Sequence, residues 1–296
     1  MISIVIRTLN EERYLPELLQ SIREQEVGTQ ELEVVLVDSG SVDGTLEIAS
    51  GYNCKIARIE KTQFTFGRSL NVGCEASSGD MLVFISGHCV PSSLQWLENL
   101  IEPISKGVAE YTYGRQVGRH PTKFSENELF KKYYPDTSAV PQDGFFVNNA
   151  NSSISREAWV KLKFDEELTG LEDMDFAKRL LALGGKVAYC ADASVFHIHD
   201  ETWKQTQRRY ERESYALQSI MPEVQVSVWD ALRYICAGVF HDALSAWQKG
   251  VFFKEIMGII RFRTAQFSGT YKGNHLHRAI SRQKKETYFY PKRFID

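Results

Sequence analysis

The chain of 296 residues is 43% hydrophobic and 25% charged, with a formal net charge of −3. That composition supports one large folded domain, or one domain with an appendage, around an ordinary core, and it excludes a disordered chain. No stretch reaches the roughly 18–20 uninterrupted apolar residues that spanning a bilayer requires, so a protein not integral to a membrane is expected.

The chain opens on Met1-Ile2-Ser3-Ile4-Val5-Ile6, which runs at once into Arg7 and a polar turn. Without a basic head and a longer apolar region it reads as a buried strand and not as a signal peptide. Leu15, Leu18, Leu19 and Ile22 then fall at i, i+3, i+4 and i+7, one stripe of an amphipathic helix. Residues 32–37, again apolar and β-branched, predict a second strand covered on both faces, which completes a βαβ unit.

A helix opening at Asp43-Gly44-Thr45, a strand over 55–59, a helix after Gly67 and a strand over 81–85 continue the alternation. The economical reading is an α/β fold with a mostly parallel, Rossmann-like sheet. Leu94, Leu97, Leu100, Ile101 and Ile104 mark another helix, whereas residues 110–117 and 145–154 alternate only loosely. A helix over 172–183 is clearer, with Met174, Ala177, Leu180 and Leu181 on one face and Gly184-Gly185 ending it, and a strand over 186–189 should follow.

Beyond His199 the periodicity is helical throughout, as in Phe252, Ile256, Ile259 and Ile260. The expected organisation is one α/β domain over 1–200, with a first half over about 1–105 and a second over 106–200. A basic helical region over 201–296 would follow. Residues 1–200 hold 19 Lys and Arg against 29 Asp and Glu, whereas residues 201–296 hold 16 against 9. The basic side chains end in Arg282, Lys284, Lys285, Lys292 and Arg293. Apolar helix faces flanked by cations suit the surface of an anionic membrane, and also suit packing on the first domain or on another subunit. No nucleic-acid partner is expected. The five cysteines show no metal-type spacing and lie mostly in apolar stretches, the pattern of reduced core thiols in a cytoplasmic protein.

In an open parallel sheet, ligands gather beyond the carboxyl ends of the strands, which here are residues 7–11, 38–44 and 86–88. A nucleoside diphosphate needs partners for the base and ribose, and N–H donors or positive charge for its phosphates. Asn10, Asp38 and Asp43 could serve it, or could act only as turn formers and helix caps. Neither a GxGxxG fingerprint nor a GxxxxGK[ST] loop occurs, which removes the main support for dinucleotide redox chemistry and P-loop hydrolysis. Glu172, Asp173 and Asp175 lie in a helical first turn, where acids meet the helix dipole favourably, although three of them exceed what capping needs.

Five pieces in order carry a resemblance: the stretch from Ser3 through Arg7-Thr8-Leu9-Asn10-Glu11, then Asp38-Ser39-Gly40-Ser41-Val42-Asp43-Gly44-Thr45, Phe66-Gly67-Arg68-Ser69-Leu70-Asn71, Gly79-Asp80, and Leu171-Glu172-Asp173. Over roughly residues 1–200 the chain resembles an inverting family 2 glycosyltransferase of GT-A fold, near the bacterial rhamnosyltransferase-like members. The resemblance implies a nucleotide pocket of Thr8, Asn10, Glu11, Asp38, Ser39, Gly40, Arg68, Asn71, Ser86 and Gly87. It implies that residues 1–200 are the catalytic domain, with a nucleotide-binding half over about 1–105 and an acceptor half over 106–200, with Asp173 as the catalytic base and Glu172 and Asn149 at the acceptor. It further implies transfer from a UDP- or dTDP-sugar to a hydroxyl of a glycan or lipid-linked oligosaccharide in surface polysaccharide synthesis. A catalytically degenerate sugar-nucleotide-binding module is the alternative.

The chain departs from the family where an acidic motif usually ends the fourth strand, since Ser86-Gly87-His88 stands there. Imidazole suits Mn²⁺ better than Mg²⁺. His88 with His197 and His199, two residues apart and so on one face of a strand, could hold such an ion. In a metal-free version the histidines, or Arg208, Arg209 or Arg212, would meet the diphosphate directly.

Overall fold

The computed structural model describes residues 1–28, 30–276 and 288. The terminal cations Arg282, Lys284, Lys285, Lys292 and Arg293 lie outside the described residues. The elements in chain order are β1 (Ile2–Thr8), α1 (Leu15–Arg23), β2 (Leu32–Asp38), α2 (Thr45–Gly51), β3 (Lys55–Arg58), α3 (Phe66–Ala76), β4 (Met81–Ser86), β5 (Cys89–Pro91), α4 (Trp96–Ser105), β6 (Tyr111–Gly118), α5 (Phe124–Tyr133), β7 (Asn151–Ser155), α6 (Arg156–Leu162), α7 (Glu172–Ala182), β8 (Val187–His197), α8 (Trp203–Ile220), α9 (Val228–Gln248) and α10 (Phe252–Asn274). The chain forms two compact units, the first of residues 1–119, 132–167 and 172–198, the second of residues 120–131, 168–171 and those from 199 on.

In the first unit all eight strands join one sheet in the order β3-β2-β1-β4-β7-β6-β8-β5. The pairs β1–β2, β1–β4, β2–β3 and β6–β8 are parallel, and the pairs involving β5 and β7 are antiparallel. Alternation along β1 sends Ile2, Ile4 and Ile6 into a core with Leu15, Leu18 and Ile22 of α1 and Trp96, Leu97 and Leu100 of α4. The other face is covered by α3 and α7. There Phe84, Phe164, Phe176 and Tyr111 form a chain of ring contacts with centroids 4.9–5.6 Å apart. The sheet is therefore buried on both sides, as its long apolar strands require.

Three elements lie outside the sequence reading. β5 has three residues and α6 seven, too few for a periodic signal. The first turn of α6 is set by Ser155, whose hydroxyl accepts from the Ala158 N–H at 3.2 Å. α5 is largely polar. The strand expected over 186–189 is only the start of β8, which continues to His197. Residues 145–150 are not strand, and Cys236 is exposed, so it is no core thiol.

The second unit is helical among its described residues. Capping boxes of Thr202 with Gln205 and of Ser227 with Asp230 begin α8 and α9. Gly269 and Gly273 let α10 press onto α8. A Cβ there would stand 2.2 Å from the Gln207 carbonyl oxygen and 2.0 Å from that of Glu211. Among the described residues no helix is long and apolar enough to cross a membrane.

The seat of α3 on the sheet also depends on a glycine. A Cβ at Gly73 would meet Val5 Cγ1 at 2.3 Å and Val37 Cγ2 at 2.9 Å, both buried. Gly73→Val should therefore destabilise the protein by about 3 kcal/mol through overpacking, seen as a lower urea midpoint with an unchanged m-value.

Candidate active site

Backbone pairing brings the polar strand ends together. β1 lies between β2 and β4 with Thr8 opposite Asp38 and Arg7 opposite Ser86. Adjacent strands are about 4.8 Å apart, so these residues form one row. The turns that follow lock onto one another. Asn10, at φ 58°, donates its N–H to Ser41 Oγ (2.9 Å), and its side-chain oxygen accepts from the Val42 N–H (2.9 Å). Asp38 Oδ2 accepts from the N–H groups of Gly40 at 2.9 Å and Ser41 at 3.1 Å, and Oδ1 from the Ser41 N–H at 3.3 Å, with Gly40 at φ 100°. Ser39 donates its hydroxyl to the Thr8 carbonyl at 3.1 Å. Asp43 braces the turn just before α2, its carboxylate accepting from the N–H and hydroxyl of Thr45 at 3.1 and 2.6 Å.

Gly87 closes against β1, with its N–H on the Arg7 carbonyl at 3.3 Å. A Cβ at Gly87 would stand 2.8 Å from Glu11 Cγ, so the turn needs glycine to bring His88 beside Glu11. His88 Nδ1–H donates to Glu11 Oε1 at 2.9 Å. The His88 ring stacks on His197 at 5.2 Å, and a ring nitrogen of each lies within 4.8 Å of the other. His197 Nδ1–H donates to Gln116 Oε1 at 2.6 Å, and Gln116 Nε2 donates to Asn148 Oδ1 at 3.0 Å. An imidazole whose Nδ1 proton is held this way presents Nε2 as its basic atom, the usual arrangement behind a metal-bound histidine. The donor set thus fits a divalent cation that tolerates nitrogen, and a carboxylate, Glu11, stands next to it.

The acid pair at the start of α7 reaches the same row of strand ends. Arg7 Nη1 donates to Glu172 Oε1 at 3.3 Å, and the Arg7 guanidinium also lies 5.1 Å from the Phe66 ring centre. Asp173 is 6% exposed. Its oxygens accept from the N–H groups of Asn149 (3.0 Å) and Met174 (2.8 Å). Burial, and then the neighbouring Glu172 charge, push the Asp173 carboxyl up to about 7 against those two hydrogen bonds. Asn149 accepts on Oδ1 from Tyr111 OH (2.6 Å) and Ser152 Oγ (2.7 Å), while its Nδ2 is buried with no partner among the described residues.

Not every residue expected in the pocket has groups to offer. Asn71 spends its whole amide on a structural clamp. Its oxygen accepts from Trp159 Nε1 and the Phe164 N–H, both at 3.1 Å. Its nitrogen donates to the Phe164 carbonyl and Glu166 Oε1, both at 2.9 Å. Arg68 is half-buried on the first turn of α3, which Thr65 caps by accepting from the Arg68 N–H at 3.1 Å. The strand argument for pairing His197 with His199 fails, because β8 stops at His197. His199 belongs to the second unit, where its ring bonds Glu126 Oε1 at 2.6 Å.

Arg209 is no solvated helix face either, since it is ion-paired to Glu126 and Glu201. Burial raises the Glu126 carboxyl, but Arg209 and then His199 more than offset it and hold the group well below the usual carboxylate range. Arg212 Nη2 lies 3.7 Å from Glu213. Gln116 and Asn148, which hold His197, gave no signal in the loosely alternating segments. Arg7 was visible in the first turn, but its pairing with Glu172 spans 165 residues and has no local signature.

Strand ends, turns and a buried acid pair of this kind, on a sheet of this topology, define a GT-A glycosyltransferase fold. Residues 3–160, more than half of the chain, match Glycosyl transferase family 2, and the chain belongs to that family of glycosyltransferases. It is 27% identical over 221 residues to the O-antigen chain rhamnosyltransferase RfbN of Salmonella typhimurium, covering 71% of this chain and 70% of that protein. It is 28% identical over 197 residues to the O-antigen chain rhamnosyltransferase WbaN of Salmonella anatum, covering 63% and 62%. Among solved structures it is similar in fold to the mannosyltransferase PcManGT of Pyrobaculum calidifontis in complex with GDP-Man and Mn²⁺. The TM-score there is 0.65 at 15% identity, over 92% of this chain and 86% of that one. Staphylococcus aureus TarS in complex with UDP-GlcNAc gives a TM-score of 0.52 at 16% identity, over 97% and 91%.

The acid pair makes a measurable claim of its own. Folded Asp173 keeps its proton up to about pH 7, whereas an unperturbed carboxyl of this type releases it near 3.8. Folding therefore takes up a proton between those values, and the stability this group contributes falls as pH rises through that window. A protonated-carboxyl infrared band should persist on the acid side of neutrality, vanish on the alkaline side, and be missing from Asp173→Asn.

Proposed function

We propose that the protein is an inverting transferase that moves a sugar from a UDP- or dTDP-linked donor to a hydroxyl of a glycan or lipid-linked oligosaccharide in bacterial surface polysaccharide synthesis. The observation that carries this reading is Asp173, a buried carboxylate poised near neutrality and tied through Glu172 and Arg7 to the row of strand ends. The rhamnosyltransferase relatives favour a deoxyhexose among the donors.

In this reading the nucleoside lies along Thr8, Asn10, Glu11 and Asp38, and the diphosphate over the turn Ser86-Gly87-His88. The acceptor oxygen attacks the anomeric carbon as Asp173 takes its proton, and the carbon–oxygen bond to the nucleoside diphosphate breaks on the opposite face, which inverts the centre. A base with a pKa near the working pH combines a sizeable ionised fraction with a strong pull on the proton. Arg7 draws the Asp173 carboxyl down against burial and the Glu172 charge. The buried, unpartnered Nδ2 of Asn149 suits a hydrogen bond to the acceptor. His88 and His197 are the candidates to hold a divalent cation, Mn²⁺ ahead of Mg²⁺. When bound, such an ion supplies positive charge for the departing diphosphate.

The degenerate-module alternative differs in one observable. Asp173→Asn should lose about 10²–10⁴-fold in turnover, with transfer and donor hydrolysis both affected, while binding UDP or dTDP as the wild type does. A wild type that binds nucleotide but turns over no donor would favour the module. For the cation, calorimetry should find nucleotide affinity raised by Mn²⁺, lowered again by chelation, and insensitive to Mn²⁺ in His88→Ala. Equal affinity before and after chelation would leave the histidines to contact the diphosphate directly.

A further inference from the structure

The helix α9 is amphipathic the wrong way round. Its inward line is small or polar, with Ala231, Asp242 and Ala246 buried against the rest of the helical unit. Asp242 accepts from Arg263 Nε and Nη2 of α10, both at 2.7 Å. Gly238 leaves room for that guanidinium, since a Cβ there would stand 2.9 Å from Arg263 Cδ. The large apolar residues face away. Trp229, Cys236, Phe240, Leu244 and Trp247 recur at i, i+7, i+11, i+15 and i+18, one stripe about 27 Å long. Trp229 is 79% exposed, Phe240 72% and Trp247 64%. A surface helix of a soluble domain normally turns such a stripe inward.

The stripe continues past the turn into α10. Trp247 touches the Phe252 ring at 5.7 Å and Phe252 touches Phe253 at 5.3 Å, and Phe253, Met257 and Ile260 are again exposed. A contiguous apolar face of this extent marks a docking surface. Its charges are one-sided. Arg233 lies on the α9 stripe, Lys254 and Arg261 lie beside the α10 residues, and all three are exposed. The acids of these two helices are fewer and less exposed: Asp242 is buried on Arg263, Asp230, which also accepts from Ser227, lies 3.4 Å from Arg233, and half-buried Glu255 lies 3.9 Å from Lys254. Three exposed cations thus stand against two half-buried acids, and a second copy of the chain would repeat that positive excess instead of neutralising it. An anionic bilayer supplies both the apolar depth and the missing negative charge.

We propose that the outward face of α9 and the first turns of α10 form an in-plane docking surface for an anionic phospholipid bilayer. The lipid-linked acceptor reading supplies its purpose, but the contact can be measured apart from transfer. The full-length protein should co-sediment with vesicles of phosphatidylcholine and phosphatidylglycerol and much less with phosphatidylcholine alone. Brominated lipid should quench its tryptophan fluorescence in the wild type itself. Phe240→Ser/Trp247→Ser should bind the anionic vesicles at least about 10-fold more weakly, with an unchanged circular dichroism spectrum and full transfer to a soluble acceptor. Arg233→Gln/Lys254→Gln/Arg261→Gln should lose the preference for anionic lipid.

The proposal is overturned by a wild type that binds neither vesicle, by binding indifferent to Phe240 and Trp247, or by a stable dimer that the Phe240→Ser/Trp247→Ser variant dissociates without any vesicle binding. Vesicle binding by a wild type that transfers no sugar would instead count against the enzymatic reading and leave the docking surface standing.

Discussion

The register of β1 between its two parallel neighbours is the constraint on which the site depends. Ladder hydrogen bonds fix Thr8 opposite Asp38 and Arg7 opposite Ser86, and a slip of one residue would turn Ile2, Ile4 and Ile6 out of their core. The hydrophobic pattern that makes the strand thus also determines which polar residues stand together where it ends. The turns add a second layer of locking. Asn10, Ser41 and Asp38 satisfy one another's backbone groups, so the loops that would meet a nucleotide are stiff before anything binds.

The acid pair shows how that frame tunes chemistry. Asp173 is buried deeply enough to hold its proton far above the ordinary range, yet it accepts two backbone hydrogen bonds that keep ionisation within reach. Arg7 connects this electrostatic balance to the end of the first strand. Removing the guanidinium would change the acid pair without touching Asp173 itself. The histidines follow a similar logic, because His88 is oriented by Glu11 in the turn after β1 and His197 by Gln116 of β6.

Much of the first 105 residues was legible because apolar periodicity is strong there: β1, α1, β2, β4 and α4 each bury a recurring set of Ile, Leu, Val or Trp. Legibility faded where burial is shared with polar atoms. β7 is Asn-Ser-Ser-Ile-Ser, buried although mostly polar, because Asn151 bonds Trp96 Nε1 and the carbonyls of Arg115 and Ala193. No hydropathy pattern marks such a strand. Asn71 illustrates the opposite error, in which a polar residue within a recognisable motif reads as a ligand contact although its amide is spent on Trp159, Phe164 and Glu166. The acids at 172 and 173 were readable as a cluster. Their burial was not, since it depends on Tyr111 and Asn149 arriving from distant parts of the chain.

The seam between α9 and α10 has a consequence for divergence. It is held by alanines, a glycine and one buried ion pair, none of which contributes to the outer surface. Substitutions on the outside therefore leave the hairpin's folding determinants intact. Exchange of tryptophans for charges, or of lysines for acids, would change what that face meets and leave the sheet of the first unit as it is.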